Sequence, residues 1–272
     1  MSDGADGPNP PAGAWQPLTF GGAAAFASAR IGRVLLVGLL AAAVFAVGFV
    51  WLLQRDYSPI FLQAIQHMPE TARIADGRLQ GVPDNIITES KVLAIAVTPA
   101  TSEEIGQDAD LQLQLRQTDF CVTSIFQPDR GLVFQYGSGN SLNMARSAVE
   151  PWWGAWLPVL LTAAGLIALV FLFASWAFLA AVYMAPAKFI AWFADRNLSW
   201  RAAWKLNFAA MAPGALVMTF AVLLYGWHRI ELVQLSFFWL AHLVMGWVYV
   251  AGAVLALPRL FPRAFPRKNP FT

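Results

Sequence analysis

The chain has 272 residues, of which 58% are hydrophobic and only 12% are charged, with a formal net charge of +2. Soluble domains carry about 25% charged residues, so this composition argues against a soluble protein and predicts an integral membrane protein. A single cysteine, Cys121, excludes an internal disulfide and a cysteine-based metal cluster. No phosphate-binding loop, zinc-protease or serine-hydrolase motif occurs. We therefore expect no metal ion, no cofactor and no nucleic-acid partner.

The beginning of the chain predicts a tail followed by a membrane anchor. Residues 1–18 are rich in Gly and Pro, which predicts a disordered segment. Residues 19–53 predict an interfacial segment and a first transmembrane helix, whose uncharged stretch covers residues 34–53. No clear cleavage site follows, so we interpret this helix as an uncleaved signal anchor.

Residues 54–152 predict a small β-rich domain of five or six short strands. Ser58 is expected to cap a helix that has Pro59 in its first turn. Asp76-Gly77 predicts a tight hairpin turn. "KVLAIAVTPA" predicts an apolar strand, and the strict Leu/Gln alternation in "DLQLQLRQ" predicts a half-buried one. "FCVTSIF" and "LVFQYG" predict a further hairpin with its turn at "QPDRG", and "NSLNMARSAVE" a short helix.

Two features of this domain invite a chemical interpretation. An acidic run could hold a cation, but its spacing is irregular, and a solvated loop explains it as well. That run comprises Glu103, Glu104, Asp108 and Asp110. Cys121 lies between Phe120 and Val122 in a predicted strand, which favours a buried and inert thiol.

Residues 153–257 predict a bundle of three transmembrane helices with a cytoplasmic loop at 184–205. The apolar stretches are 153–183, 206–225 and 232–257. His242 is the one ionisable residue within them, and either a hydrogen bond to a neighbouring helix or a gating role would explain it. Pro213-Gly214 predicts a bend in the third helix, as a packing kink or as a hinge.

The cytoplasmic loop and the C-terminal tail carry the candidate partner positions. In the loop, Trp192 and Phe193 belong to an aromatic cluster flanked by basic residues, which predicts an interfacial helix or a docking site. Residues 258–272 form a basic, Pro-rich cytoplasmic tail that proline keeps extended. Its cations predict contact with anionic lipid, and docking of a cytoplasmic partner is the alternative. They are Arg259, Arg263, Arg267 and Lys268.

The distribution of charge predicts the orientation. One side of the four predicted helices holds ten basic and three acidic residues, 10 − 3 = +7, and the other holds eight and thirteen, 8 − 13 = −5. Because basic loops stay in the cytoplasm, both termini are predicted there and residues 54–152 outside. The ten basic residues are Arg30, Arg33, Lys188, Arg196, Arg201, Lys205, Arg259, Arg263, Arg267 and Lys268.

The predicted fold class is an integral membrane α-helical protein with four transmembrane helices. A small β-rich extracytoplasmic domain is inserted between helices one and two. Its predicted location is the bacterial cytoplasmic (inner) membrane.

Two stretches carry a resemblance to a known family: "MP" followed by "RIADGRLQGVP", and "LSWRAAWKLNFAAMAP". Together with the order of one span, a β-rich domain and three spans, they make most of residues 20–257 resemble an uncharacterised bacterial family of multi-span membrane proteins. This domain of unknown function includes proteins linked to maltodextrin utilisation. The chain is more distantly similar to the Yip family, whose eukaryotic members are linked to Rab GTPases. "AVTPA" stands where an Asp-Thr pair is expected, and the resemblance implies no catalytic residues.

Three functions are weighed from these features. The first is a non-enzymatic membrane protein that acts as an accessory, scaffold or sensor subunit of another membrane complex through its extracytoplasmic domain. The second is a permease-like subunit coupled to a cytoplasmic ATPase through the loop helix that contains Trp192 and Phe193. The third, an intramembrane enzyme, lacks a grouping of Asp, Glu or Ser-His at membrane depth.

Overall fold

The computed structural model describes residues 16–82, 85–98, 109–137, 139 and 141–259. The chain divides into two compact units. The helical unit comprises Met1–Gly48 and Leu166–Thr272, and the β-rich unit comprises Phe49–Gly165.

Eight α-helices lie within the described residues. They are α1 (Phe20–Ala25), α2 (Ile31–Leu52), α3 (Ser58–Gln66), α4 (Arg146–Val182), α5 (Met184–Phe193), α6 (Trp200–Ala210), α7 (Ala212–Gly226) and α8 (Leu232–Ala256). Four helical stretches are long and apolar enough to cross a membrane: Ile31–Gln66, Arg146–Phe193, Trp200–Gly226 and Leu232–Ala256. The structure thus confirms four helices of this kind and a β-rich region between the first two along the chain.

The first of these stretches is longer than predicted. Helix α2 continues into α3 through a π-helical turn at Leu53–Tyr57. The prediction that Ser58 caps a new helix is wrong, because Tyr57 and Ser58 both have helical dihedrals and no side chain caps this point. The Ser58 amide bonds to the Leu53 carbonyl, so the widened turn shifts the hydrogen-bond register just before Pro59. The helix therefore passes the proline instead of restarting there, over 36 residues or about 54 Å.

The β-rich unit contains two sheets. The first has the order β2-β1-β8 and the second has the order β3-β4-β5-β6-β7, in which β4 and β5 are parallel. The strands are β1 (Arg73–Ala75), β2 (Arg78–Gln80), β3 (Ile86–Glu89), β4 (Leu93–Thr98), β5 (Leu111–Arg116), β6 (Asp119–Ser124), β7 (Gln127–Gln135) and β8 (Leu142–Asn143). The predicted strands β4 and β5 are confirmed, whereas β3 and β8 were not foreseen.

The predicted hairpin at Asp76-Gly77 is confirmed. Ala75 pairs with Arg78, and the two turn residues have φ angles of 54° and 71°. Positive φ at both positions matches the right-handed twist of the two strands, and Asp-Gly adopts it at little cost.

The predicted turn at "QPDRG" is wrong. The chain turns at Ile125 and Phe126, and "QPDRG" belongs to β7. The register is set by cross-strand packing, since the Phe120 and Phe134 rings stack with centroids 4.8 Å apart. Gly131 is needed for packing here, because a Cβ at that position would lie 2.2 Å from the Cys121 Sγ.

Helix α3 and the β1–β2 hairpin pack on the same face of the five-stranded sheet. Ile60 and Ala64 of α3 contact Leu93 and Ile95 of the buried strand β4. The hairpin covers the end of the same face near Val97.

Tyr136 packs beside this hairpin, and its hydroxyl donates to the Arg116 carbonyl at 3.1 Å. Burial, with a smaller effect of the Asp119 charge, raises the pKa of Tyr136 to about 12.

The core of the helical unit is built mainly from small residues. Its buried cluster is dominated by alanine, with Phe26 and Phe208 as the largest enclosed side chains. Small residues allow helices to approach closely where lipid offers no hydrophobic driving force. Helix α1 shares this core through its contacts with α6 and α8, and a Cβ at Gly252 would lie 2.6 Å from the Phe20 ring.

The third predicted span is interrupted at Met211, where α6 ends and α7 begins. Pro213 lies in the first turn of α7, where its missing N–H leaves no hydrogen bond unmade. Gly214 comes so close to α8 that a Cβ would lie 2.8 Å from the His242 carbonyl oxygen. The Pro213-Gly214 pair therefore marks a close crossing of two helices.

This crossing yields a test of packing. In Gly214→Ala the new methyl group meets a backbone carbonyl, so α8 has to shift, at a cost of about 1–3 kcal/mol. The matched control is Gly32→Ala in α2, where no atom lies within 4 Å of the added Cβ. We expect thermal melting in mild detergent to show a lower Tm for Gly214→Ala and an unchanged or higher Tm for Gly32→Ala. Equal Tm values would contradict the crossing.

Candidate functional site

Helix α5 presents an aromatic face to the outside of the helical unit. Trp192 and Phe193, the predicted partner positions, are 71% and 66% exposed, and Phe189 lies beside them. The Phe193 ring centroid is 4.8 Å from that of Trp192 and 4.7 Å from that of Phe189. On the opposite side of α5, Ala187 and Ala191 are buried. The helix is thus amphipathic, with small residues inward and an aromatic cluster outward, as expected of an interfacial or docking helix.

Backbone geometry ends α5 and turns the chain toward α6. Asp195 adopts a left-handed φ of 52°, and the Arg196 amide bonds back to the Ala191 carbonyl at 2.8 Å. This arrangement satisfies carbonyls that the end of a helix leaves without partners. Helix α6 then begins after Ser199, whose hydroxyl accepts a hydrogen bond from the Ala202 amide at 3.3 Å and so caps the helix.

Three cations of this loop and the adjoining helix act as carbonyl donors inside the protein. The Lys188 ammonium donates to the Leu198 carbonyl at 2.7 Å, and the Lys205 ammonium donates to the Ala29 carbonyl at 2.8 Å. The Arg196 guanidinium donates to the Leu257 carbonyl at the end of α8. The three side chains count among the basic residues from which the orientation was predicted. Each of them also joins two segments of the chain by its hydrogen bond.

The predicted lipid contact in the tail is only partly within the described residues. The Arg259 backbone forms an isolated antiparallel bridge with Arg196. Arg263, Arg267 and Lys268 lie outside the described residues. The structure therefore gives a position for Arg259 alone.

Pro213 and His242, the two other candidate positions, lie close together at the α7–α8 crossing. The His242 ring Nδ1 donates to the Trp239 carbonyl one turn earlier in the same helix. This bond accounts for one ring nitrogen without a residue from another helix. Trp192 and Phe193 form the separate cluster on α5, so the four candidates make two pairs rather than one site.

Two polar anchors in the helical unit were missed by the sequence reasoning. The fully buried Asn207 donates from Nδ2 to the Ala180 carbonyl at 3.1 Å, and the Trp204 indole donates to the Ala177 carbonyl at 3.1 Å. Both tie α6 to α4. The sequence does contain a signal for the first of these anchors. Asn207 is an amide in an apolar stretch, and a buried amide has to find a hydrogen-bond partner.

The chemical candidates of the β-rich unit do not converge on a site. Cys121 is buried as expected, and Asp110 is also buried. Glu103, Glu104 and Asp108 lie outside the described residues. Among the described residues, no group of three or more His, Cys, Asp or Glu side chains could hold a metal ion.

The apolar face of the five-stranded sheet is covered at one end and open at the other. Cross-strand pairing aligns two apolar rows from β4 to β7, and paired residues share a face. The rows are Ile95, Leu113, Val122 and Leu132, and Val97, Leu115, Phe120 and Phe134. Ile95 and Val97 are buried, whereas Leu132 is 66% and Phe134 47% exposed. We call the exposed end, formed by Leu132 and Phe134 with Phe120 and Val122, the open β-face.

Comparison with known proteins adds no relative: no protein-family model, no curated protein and no solved structure matches this chain.

Proposed function

We propose that the chain is a non-enzymatic accessory subunit of a membrane complex, acting as a scaffold or sensor. In this proposal it lies in the bacterial inner membrane, with both termini in the cytoplasm and residues 54–152 outside. The observation that carries the proposal is the open β-face. Large apolar surface left uncovered beside a packed core is typical of a protein-binding site.

The geometry of the open β-face favours a particular kind of partner. On the neighbouring strands the same face is covered by helix α3, which supplies Ile60 and Ala64. A partner that packs an apolar helix beside α3 would complete this layer over Leu132 and Phe134. Such a surface places apolar side chains in the centre of the contact, where interfaces derive most of their affinity.

The unbroken helix favours a sensor or scaffold over a passive anchor. Residues Ile31–Gln66 are helical throughout, and the end of this helix belongs to the core beneath the sheet. The helix continues from α2 through Leu53–Tyr57 into α3. A partner bound to the sheet would act directly on the end of a long helix.

The resemblance to the uncharacterised bacterial family fits this proposal, because that family implies no catalytic residues. The hairpin with Asp76 and Gly77 is the stretch that carries the resemblance most clearly. Family membership remains a proposal.

A second candidate function is a permease-like subunit coupled to a cytoplasmic ATPase. The observation that favours it is the exposed aromatic cluster on α5, a short helix between the second and third apolar stretches. A docking helix for an ATPase needs such an outward face. Both functions place a partner on the chain, but on different surfaces.

The orientation is tested with reporter fusions to the full chain. Alkaline phosphatase, which is active outside the cytoplasm, should be active at Gln107 and at Arg229 in the loop between α7 and α8. Green fluorescent protein should fluoresce when fused after Thr272. Activity of both reporters at a single position would show mixed orientation, and phosphatase activity at Thr272 would overturn the proposed topology.

The open β-face is tested with Leu132→Lys. This side chain is mostly exposed, so the variant should fold, but a partner contact would bury an unpaired ammonium at a cost of several kcal/mol. Affinity purification in mild detergent after crosslinking, quantified by mass spectrometry, should show partner recovery reduced about tenfold or more. Ile87→Lys is the matched control, since Ile87 is an exposed apolar residue at the opposite edge of the sheet. Equal recovery with both variants, or a chain recovered alone, would contradict the proposal.

The ATPase alternative makes a different prediction. Replacing Trp192 and Phe193 together with Ala removes most of the exposed face of α5, and a docked ATPase should then be lost from the purified complex. The control is the pair Phe237→Ala and Trp239→Ala on α8, two exposed aromatic residues of matched type. An ATPase that is lost only from the α5 variant favours the second function; its absence from the wild-type complex excludes it.

A further inference from the structure

A cavity of about 630 Å³ opens on the helical unit beside the start of α2 and the first turns of α6. Its walls combine two tryptophans, two cations and two aliphatic residues. They are Ile31, Met184, Trp200, Arg201, Trp204 and Lys205. None of the exposed aromatic residues on α5, Phe189, Trp192 and Phe193, lines this cavity.

The two cations of the cavity are neighbours of like charge. Arg201 and Lys205 are four residues apart on α6, which places them one turn apart on the same side of the helix. Lys205 uses one of its three N–H groups for the Ala29 carbonyl. Arg201 is exposed, and within the described residues its guanidinium has no hydrogen bond or ion pair. Asp195 is the sole acidic residue in the loop that leads to α6.

This pair is unfavourable as it stands. Like charges four residues apart destabilise a helix by a few tenths of a kcal/mol, and no carboxylate of the loop is drawn toward Arg201. A bound anion would relieve the repulsion and take up the free N–H groups of both side chains. The planar guanidinium fork matches two oxygens of a phosphate, and the ammonium adds a point charge.

The remaining walls indicate that the anion carries apolar chains. Ile31 and Trp200 are exposed, and Trp204 is held in place by its indole hydrogen bond to the Ala177 carbonyl and by stacking on Phe208, with ring centroids 5.2 Å apart. Lys188 lies 5.5 Å above the Trp200 ring and adds further positive charge. A free phosphate would neutralise the cations but leave this apolar surface in water, whereas an acyl chain would cover it.

We propose that this cavity is a binding site for an anionic glycerophospholipid. The phosphodiester contacts Arg201 and Lys205, and an acyl chain lies along Ile31, Met184 and Trp204. The site requires that the four apolar helices cross a membrane, but it does not depend on the partner or the function proposed above. Basic pockets between membrane helices on the cytoplasmic side are suited to such headgroups.

The test compares two arginines that differ only in their surroundings. The purified full chain in zwitterionic phosphatidylcholine nanodiscs is titrated with phosphatidylglycerol, and retained lipid is counted by native mass spectrometry. Arg201→Gln should weaken the binding of phosphatidylglycerol about five- to tenfold, the loss expected when one cation no longer contacts the headgroup. Arg229→Gln, an exposed arginine in the loop between α7 and α8, should leave it unchanged. Equal effects of both variants, or equal retention of the two lipids by the wild type, would overturn the site.

Two further variants distinguish a specific lipid site from non-specific attraction to positive charge and from misfolding of the variant. Arg201→Lys keeps the charge and should recover part of the affinity. Ile31→Ser keeps both cations but removes an apolar wall, so it should weaken retention of phosphatidylglycerol while leaving competition by glycerol phosphate unchanged. If glycerol phosphate displaces the lipid as well as phosphatidylglycerol does, the site binds free phosphate esters and the lipid proposal is wrong. An unchanged affinity in Ile31→Ser would likewise reject the acyl-chain contact.

Discussion

Backbone carbonyls that lack a helical amide partner have to find another donor, and this requirement shapes the helical unit. Lys188, Arg196 and Lys205 each donate to a carbonyl at a helix end or in a loop. Asn207 donates to the Ala180 carbonyl in the last turn of α4. In the hydrocarbon region of a membrane no solvent could replace the Asn207 bond, so this bond would matter more there than in water. The small residues of the core let the helices approach closely, and the short Asn207 side chain can reach the α4 backbone for this reason.

The same constraint explains why the first long helix does not stop at Pro59. A proline inside a helix removes one hydrogen bond and crowds the preceding turn. The π-helical turn at Leu53–Tyr57 takes up this defect by pairing the Ser58 amide with Leu53, five residues earlier. The helical ladder therefore resumes without a break and carries Ile60 to the sheet. Ser-Pro is locally suited to the start of a helix. Here the backbone hydrogen bonds of the preceding helix continue past it, so no new helix starts at Ser58.

The elements that could be predicted from sequence are those decided locally. Asp76-Gly77 makes its turn from its own dihedral preferences, Ser199 caps α6 with its own hydroxyl, and the apolar stretches along the chain predict the four long apolar helices. The turn at Ile125 and Phe126 could not be predicted, because the β6–β7 register depends on the stacking of Phe120 on Phe134 across the sheet. The exposure of Trp192 and Phe193 follows from the amphipathic pattern of α5. The open β-face was missed, because it appears only when four strands are aligned side by side.

The structure distinguishes basic residues that a count of charges treats as equivalent. A count treats Lys188, Arg196, Arg201 and Lys205 alike, as markers of the cytoplasmic side. The structure separates them, since three of the four hold a carbonyl and only Arg201 has its guanidinium unengaged among the described residues. A cation that caps a carbonyl has already lost part of its hydration and its freedom to move, so it has less to offer a ligand. In the proposed lipid site, recognition of the anion would therefore fall mainly on Arg201, with Lys205 as a partly engaged neighbour.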